Sequence, residues 1–180
     1  MTLLKILTYP DKTLLKKSVK VDKIDDHIKR LVNNMGETMF ASGGLGLAAP
    51  QIGINKRIIV YDINVENKNT NKDKNLKIKQ EYKALINPEI SDASNSMIYK
   101  NEGCLSVPDY NADIKRYEKV VIKALDIEGK QLKFNMTGVF SVIMQHEIDH
   151  LNGVLFIDKI SVLKRAMYKK KMKKAYKQKK

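Results

Sequence analysis

The sequence predicts an α+β fold in a single domain: antiparallel or mixed β-sheets around one central buried helix, with further helices towards the N- and C-terminal ends. Three observations carry this. The run TGVFSVIMQHEIDHL (137–151) is apolar on nearly every side through its first turns, and a helix hydrophobic all round is a buried one. Separate short runs, RIIVYDI, KALINPEI, YEKVVIKALD and QLKFNM, are strand-like and lie ahead of that helix. The length of 180 residues suffices for one real core and is short for two.

In chain order, Ile24, Ile28, Leu31, Met35 and Met39 recur at spacings of three and four, which predicts an amphipathic helix with Asp22 as its cap. His27 falls beside that stripe and reads as a boundary or surface residue, because no Cys, Asp or Glu is patterned with it at metal spacing. A Gly-rich loop, SGGLGLAAPQIG, precedes the strand RIIVYDI. Residues 64–81 are Asn- and Lys-rich and almost without apolar side chains, so they read as a flexible loop between strands. KALINPEI is the next strand, and YEKVVIKALD with QLKFNM form a hairpin closed around Glu128-Gly129. Thr137 is placed to cap the buried helix and Asn152-Gly153 to stop it. Beyond it runs a Lys-rich helix whose apolar face is read as Ile160, Leu163 and Met167, extending to Met172 and Tyr176. The division expected is one domain over 1–163, with 164–180 as a basic helical extension of it.

Charge and composition exclude several classes. The net charge is +14, yet ten of the 34 basic residues fall between Lys164 and Lys180, where there is no acid. Without that tail 24 basic residues face 20 acidic ones, leaving +4, so the tail reads as a docking appendage on a near-balanced body. No apolar run approaches the ~18–20 residues that cross a bilayer. The opening MTLLKILTYP has Lys5 inside its short apolar stretch and does not read as a signal peptide. The lone Cys104 cannot form an internal disulfide, so a reducing, cytoplasmic setting is expected.

The chemistry begins at QHEIDHLNG. His146, Glu147 and His150 make H-E-x-x-H, which places two imidazoles on one helix face with Cβ atoms roughly 5–6 Å apart, near enough to share a metal ion. A catalytic metal takes three protein ligands and keeps one position open. Downstream, no Glu follows Glu147, Asp158 is the only acid after His150, and Phe156 stands where a third histidine would extend the motif. Upstream, Cys104 in NEGCLSVP offers a thiolate suited to zinc or ferrous iron, beside Gly103, which lets backbone come close. Cys104 is therefore expected as the third ligand.

The three segments SGGLGLAAPQIG, EGCLSVP and QHEIDHLNG, in that order, resemble the peptide deformylases. The family's G-x-G-L-A-A-x-Q matches Gly44 to Gln51, its E-G-C-L-S matches Glu102 to Ser106, and its Q-H-E-x-D-H matches Gln145 to His150. The likeness extends to ILTYPD, INPEI, EKV…ALD and GVLFID and so spans nearly the whole chain. It implies the deformylase fold and hydrolysis of the formyl group from the N-terminal formyl-methionine of new polypeptides, releasing formate. It also implies one divalent ion on Cys104, His146 and His150, with ferrous iron first and zinc or nickel as substitutes, activating water.

By the same resemblance Glu147 is the general base and acid, and the Gln51 side chain and Leu105 backbone N–H hold the oxyanion. Gly44 and Gly46 admit the substrate backbone, Gly46 pairing with it as a strand, and Leu45, Val139, Val142 and Ile143 line the methionine pocket. Asn111 and Lys100 depart from familiar members at substrate-side positions, and Arg116 matches a basic residue near the cleft mouth but reads as a lone surface arginine. The implied partners are nascent formyl-methionyl peptides and, through the basic C-terminal helix, ribosomal RNA; a monomer in a bacterial cytoplasm is expected, with an organelle as the other source. The competing readings are an H-E-x-x-H metallopeptidase that cuts internal peptide bonds and an RNA-binding protein resting on the basic tail alone.

Overall fold

RIIVYDI owes its unbroken apolarity to being covered on both faces. The computed structural model describes residues 2–65 and 80–178. The strands are β1 (Gly46–Ala48), β2 (Ile58–Asp62), β3 (Tyr82–Ala93), β4 (Ser96–Cys104), β5 (Val107–Tyr117), β6 (Lys119–Leu125) and β7 (Gln131–Thr137); the helices are α1 (Asp26–Ala41), α2 (Gly138–Leu151) and α3 (Val162–Gln178). Five strands form one antiparallel sheet in the order β1-β2-β3-β6-β7, and β4 with β5 form a separate antiparallel ribbon. All described pairings between strands are antiparallel, which narrows the expectation of antiparallel or mixed sheets.

Alternate residues of β2 face two helices. Ile59 and Tyr61 join Met144, Ile148 and Leu151 of α2 in one core cluster, while Ile58 and Val60 join Val32, Met35 and Met39 of α1 in another. The expected hairpin is present: β6 and β7 pair in unbroken register from Lys119↔Thr137 to Leu125↔Gln131. In its turn the Asp126 carboxylate accepts from the N–H groups of Glu128 (2.9 Å) and Lys130 (2.8 Å).

Four readings are corrected. Asp25, not Asp22, caps α1, accepting from Ile28 N–H at 3.0 Å. Asp22 lies too early because the Asn87 amide pairs with both backbone groups of Val21 (2.8 and 2.9 Å) and holds the chain outside the helix. Thr137 occupies the cap position of α2, but its hydroxyl makes no capping bond. The Gly-rich segment is not wholly loop, since Gly46–Ala48 is the edge strand beside β2. Finally, Leu163 and Met167 are exposed; α3 packs through Tyr168, about 140° round the helix from Leu163, with Ile160 and Met172 partly packed and the Tyr176 side chain outside the described set.

Asn152-Gly153 does stop α2. Gly153 has φ 72°, and a Cβ there would meet the carbonyl oxygen of Leu15 at 2.5 Å, so the turn needs glycine on both counts. Most of the polar stretch 64–81 lies outside the described residues; of its described residues, Val65 is buried in the cluster under α2.

Candidate functional site

Ten of the fourteen residues of α2 are buried, so each polar side chain on it needs a partner. Gln145 finds one in backbone: its amide accepts from Tyr117 N–H and donates to Tyr117 C=O, both at 2.9 Å, and so ties α2 to the end of β5 as a peptide group would. His146 turns Nδ1 to a Glu102 carboxylate oxygen at 2.7 Å, which leaves Nε2 for the cleft. The rings of His146 and His150 lie 5.0 Å apart, and His150 Nε2 is 3.1 Å from Cys104 Sγ.

Cys104 arrives from the other side of the cleft, at the end of β4. The ribbon turns tightly there, Cys104 pairing with Val107 across Leu105-Ser106. One ligand atom from each of Cys104, His146 and His150 lies within 4.8 Å of the others, the separation at which a sulfur and two imidazole nitrogens share one ion. Two buried polar atoms nearby, Glu147 Oε2 and His150 Nδ1, have no hydrogen-bond partner among the described residues. The donor set, with its second imidazole nitrogen already engaged on His146, fits a zinc or ferrous ion.

Glu102 is the residue that sequence reasoning passed over. A bulge after Tyr99, with Asn101 at φ 60°, swings Glu102 inward, where it is 4 % exposed. Arg116 clasps it with two bonds, Nε to Oε2 at 2.9 Å and Nη2 to Oε1 at 2.6 Å, and reaches Asp149 with its third nitrogen. Arg116 is thus a buried residue at 2 % exposure rather than a lone surface arginine, because two carboxylates neutralise it there. Lys159 closes the network on Asp149 at 2.9 Å. One sequence signal pointed this way: Asp149 sits in a helix otherwise buried, where a carboxylate requires a cationic partner.

These surroundings set the charges. Burial would raise the Glu102 carboxyl, but the bonds from Arg116 and His146 outweigh it and hold the group down at about 2. Burial pushes Glu147 up to about 7. Burial alone would lower both imidazoles, and it does for His150, aided by the positive charge of His146 and Arg116. On His146 the nearby Cys104 sulfur and Glu102 reverse the sign and hold it well above its ordinary value.

Beside the trio opens a cleft of about 390 Å³. It brings together the residues singled out from the sequence: Gly44, Leu45, Gly46 and Gln51 on one wall, Val139, Val142, Ile143, His146 and Glu147 from α2, and Cys104 with Leu105 from the ribbon. His150 does not line the cleft but reaches it through Cys104, whose Sγ is 3.1 Å from its Nε2. Gln51 is fixed by accepting from Ala48 N–H at 2.8 Å, and its Nε2 donates to Ser106 Oγ at 3.2 Å with Cys104 Sγ at 3.7 Å. A Cβ on Gly46 would stand 2.5 Å from Glu147 Oε1, so Gly46 is what admits the glutamate. Lys100 does not line the cleft; its neighbours Tyr99 and Asn101 do, and Asn111 bonds the Asn101 side chain at 3.2 Å.

The family model for polypeptide deformylases matches residues 3–166. The chain belongs to the polypeptide deformylase family. A peptide deformylase of Thermodesulfovibrio yellowstonii is 44% identical over 173 residues, covering 96% of this chain and 98% of that one. Among solved structures, a peptide deformylase from Legionella pneumophila superposes with a TM-score of 0.84 at 40% identity, covering 99% of this chain and 98% of the other. The Ehrlichia chaffeensis deformylase, solved in complex with actinonin, gives 0.84 at 39% identity, covering 97% and 98%. As in other deformylases of this family, the architecture is α+β with a C-terminal helix. No described helix of this family member is long and apolar enough to cross a membrane.

Proposed function

We propose that the chain hydrolyses the formyl amide at the N-formylmethionyl end of newly made polypeptides and releases formate, with one divalent ion held by Cys104, His146 and His150. The observation that carries the reading is the buried trio of one sulfur and two imidazoles beside an unpartnered Glu147 oxygen, at the base of an apolar cleft. When bound, the ion supplies Lewis-acid activation, making a hydroxide nucleophile available from water near neutral pH. A thiolate with two imidazoles suits ferrous iron first, with zinc or nickel as alternatives.

The protein's own groups do the rest. Glu147, with its pKa raised to about 7 by burial, takes a proton from water and returns it to the leaving amine. Gln51, whose Nε2 is 3.7 Å from Cys104 Sγ, and the N–H of Leu105, the residue after Cys104, donate to the oxyanion. β1 is the outer strand of its sheet, so the substrate backbone adds beside Gly44 and Gly46 as a further strand. Leu45, Val139, Val142 and Ile143 receive the methionine side chain.

On this reading residues 1–163 form the catalytic domain and 164–180 a basic extension, whose lysines favour ribosomal RNA, and the protein works as a monomer in a bacterial cytoplasm. The bacterial source of the Thermodesulfovibrio relative supports a bacterial origin. The test offers formyl-Met peptides and unblocked peptides and measures formate against new amines. Formate from the formylated peptide alone is expected; internal cleavage without formate overturns the proposal in favour of a metallopeptidase. Glu147→Ala is expected to keep its metal and lose ~10²–10⁴-fold in kcat, whereas Cys104→Ala loses the metal itself.

A further inference from the structure

Gln51 and Ser106 are both buried, and their side chains meet beside the cleft. The Gln51 side-chain oxygen accepts the N–H of Ala48 at 2.8 Å, and a backbone N–H pairs only with an acceptor, so that bond fixes which way round the amide lies. Nε2 therefore turns to the ribbon, 3.2 Å from Ser106 Oγ and 3.7 Å from Cys104 Sγ. An amide nitrogen carries two hydrogens. One goes to the Ser106 hydroxyl oxygen, which leaves the other on the Cys104 side, where Gln51 lines the cleft.

The segments that carry the two residues are tied together as well. Gln51 lies in the short helical turn Ala49–Ile52, and Ser106 in the tight turn between β4 and β5. The N-terminal segment crosses both: Leu7 N–H donates to the Gln51 carbonyl at 2.7 Å and Tyr9 N–H to the Ser106 carbonyl at 2.8 Å. Two N–H groups two residues apart thus hold the turn and the ribbon at a set spacing, and the side-chain bond spans the gap between them.

We propose that Ser106 is a positioning residue for the oxyanion donor: its hydroxyl takes up one Nε2 hydrogen of Gln51 and so aims the other at the oxyanion. The inference rests on the reading of Gln51 as that donor. Its physical basis is the number of bonds that fix a planar group. With Ala48 alone the amide has one bond, about which its nitrogen swings; the bond to Ser106 at the other end removes the swing. A donor set in place beforehand needs no reorganisation when charge develops, whereas a wandering one must be gathered in at each turnover. The main chain of Ser106 serves a different atom, since its N–H lies 3.4 Å from Cys104 Sγ. Changing the side chain alone therefore separates the support of Gln51 from that of the sulfur.

The experiment compares metal-loaded wild type, Ser106→Ala, Gln51→Ala and the double variant. It reads kcat and KM on a formyl-Met peptide, metal content and Tm. Gln51→Ala removes the donor and is expected to lower kcat by ~10²–10³-fold. Ser106→Ala keeps the donor but frees it, so kcat falls on the order of tenfold, with KM and metal content unchanged. In the double variant the loss of the hydroxyl adds nothing to Q51A, because no amide remains to be aimed. Wild-type kcat in S106A overturns the inference, and so does the same tenfold loss in the Q51A background or a loss of kcat that follows loss of metal. If S106A does not fold, the wild-type protein still decides. Of its two Gln51 Nε2 protons, assigned by their disappearance in Q51A, one is protected from exchange with solvent; two protons exchanging as in a free amide overturn the inference. Wild-type kcat in Q51A would instead sink the oxyanion reading, and this inference with it, so the two failures are distinguishable.

Discussion

Helices α2 and α3, of 14 and 17 residues, are close in length and opposite in construction. α2 is enclosed by the core, and the polar side chains on it that do not face the cleft chemistry are individually claimed: Gln145 by the Tyr117 backbone and Asp149 by Arg116 and Lys159, with His146 held from behind by Glu102. α3 is enclosed by solvent, carries most of its cations there, and touches the domain chiefly through Tyr168. The difference teaches where chemistry can be built. A buried polar group is expensive unless it is paired, so pairing restricts it to one geometry, and one geometry is what a ligand set requires. On an exposed helix the side chains stay interchangeable except at the anchor.

Glu102→Ala is the largest test of that contrast. It strips Arg116 of a bidentate partner in a buried place, and a loss of ~3–5 kcal/mol in urea unfolding is expected. The same pair sets an acid limit. Because the folded Glu102 carboxyl is held at about 2, below its ordinary value, its stabilisation is complete above the unfolded carboxyl range and is lost as pH falls towards 2. Urea midpoints followed from pH 6 to pH 2 should therefore fall more steeply for wild type than for Glu102→Gln; parallel profiles would mean that the carboxylate contributes nothing.

Gln145→Ala is intermediate. It leaves the N–H and C=O of Tyr117 without their side-chain partner and should remove roughly 1–3 kcal/mol, read from the same denaturant curves. The smallest effect belongs to α3: Leu163→Ser and Met167→Ser should each change stability by no more than ~0.5 kcal/mol and leave formate release from a small peptide unaltered. A large loss from either would break the contrast, because it would show the outer face of α3 packed in solution.

Much of this architecture was legible in the chain because its signals are local. RIIVYDI reads as a strand buried on two faces, the EKVVIKAL and QLKFNM runs as a hairpin, and H-E-x-x-H with a lone upstream Cys104 as three donors that the fold brings within 4.8 Å. The ribbon β4–β5 was not legible. β4 is exposed on both faces over Ser96–Ile98, so no apolar alternation marks it, and its bulge at Asn101 leaves no pattern that periodicity detects; β5 does alternate, with Tyr110, Ala112 and Ile114 on its covered face, but the buried Arg116 breaks the apolar run. The cap of α1 shifted from Asp22 to Asp25 for a similar reason: the deciding bond comes from Asn87, 66 residues away from Val21.

The sequence by itself determined the identities of the donors, their spacing on one helix, and the apolar surfaces that must be buried, since these depend on side-chain chemistry and helix period. Only the tertiary structure decided that Glu102 and Arg116 stand behind His146, that Gly46 makes room for Glu147, and that Tyr168 rather than Leu163 faces inward. Each of these depends on which distant surface a residue meets, and that is settled by packing the sheet, the ribbon and the helices together, not by any window of the chain.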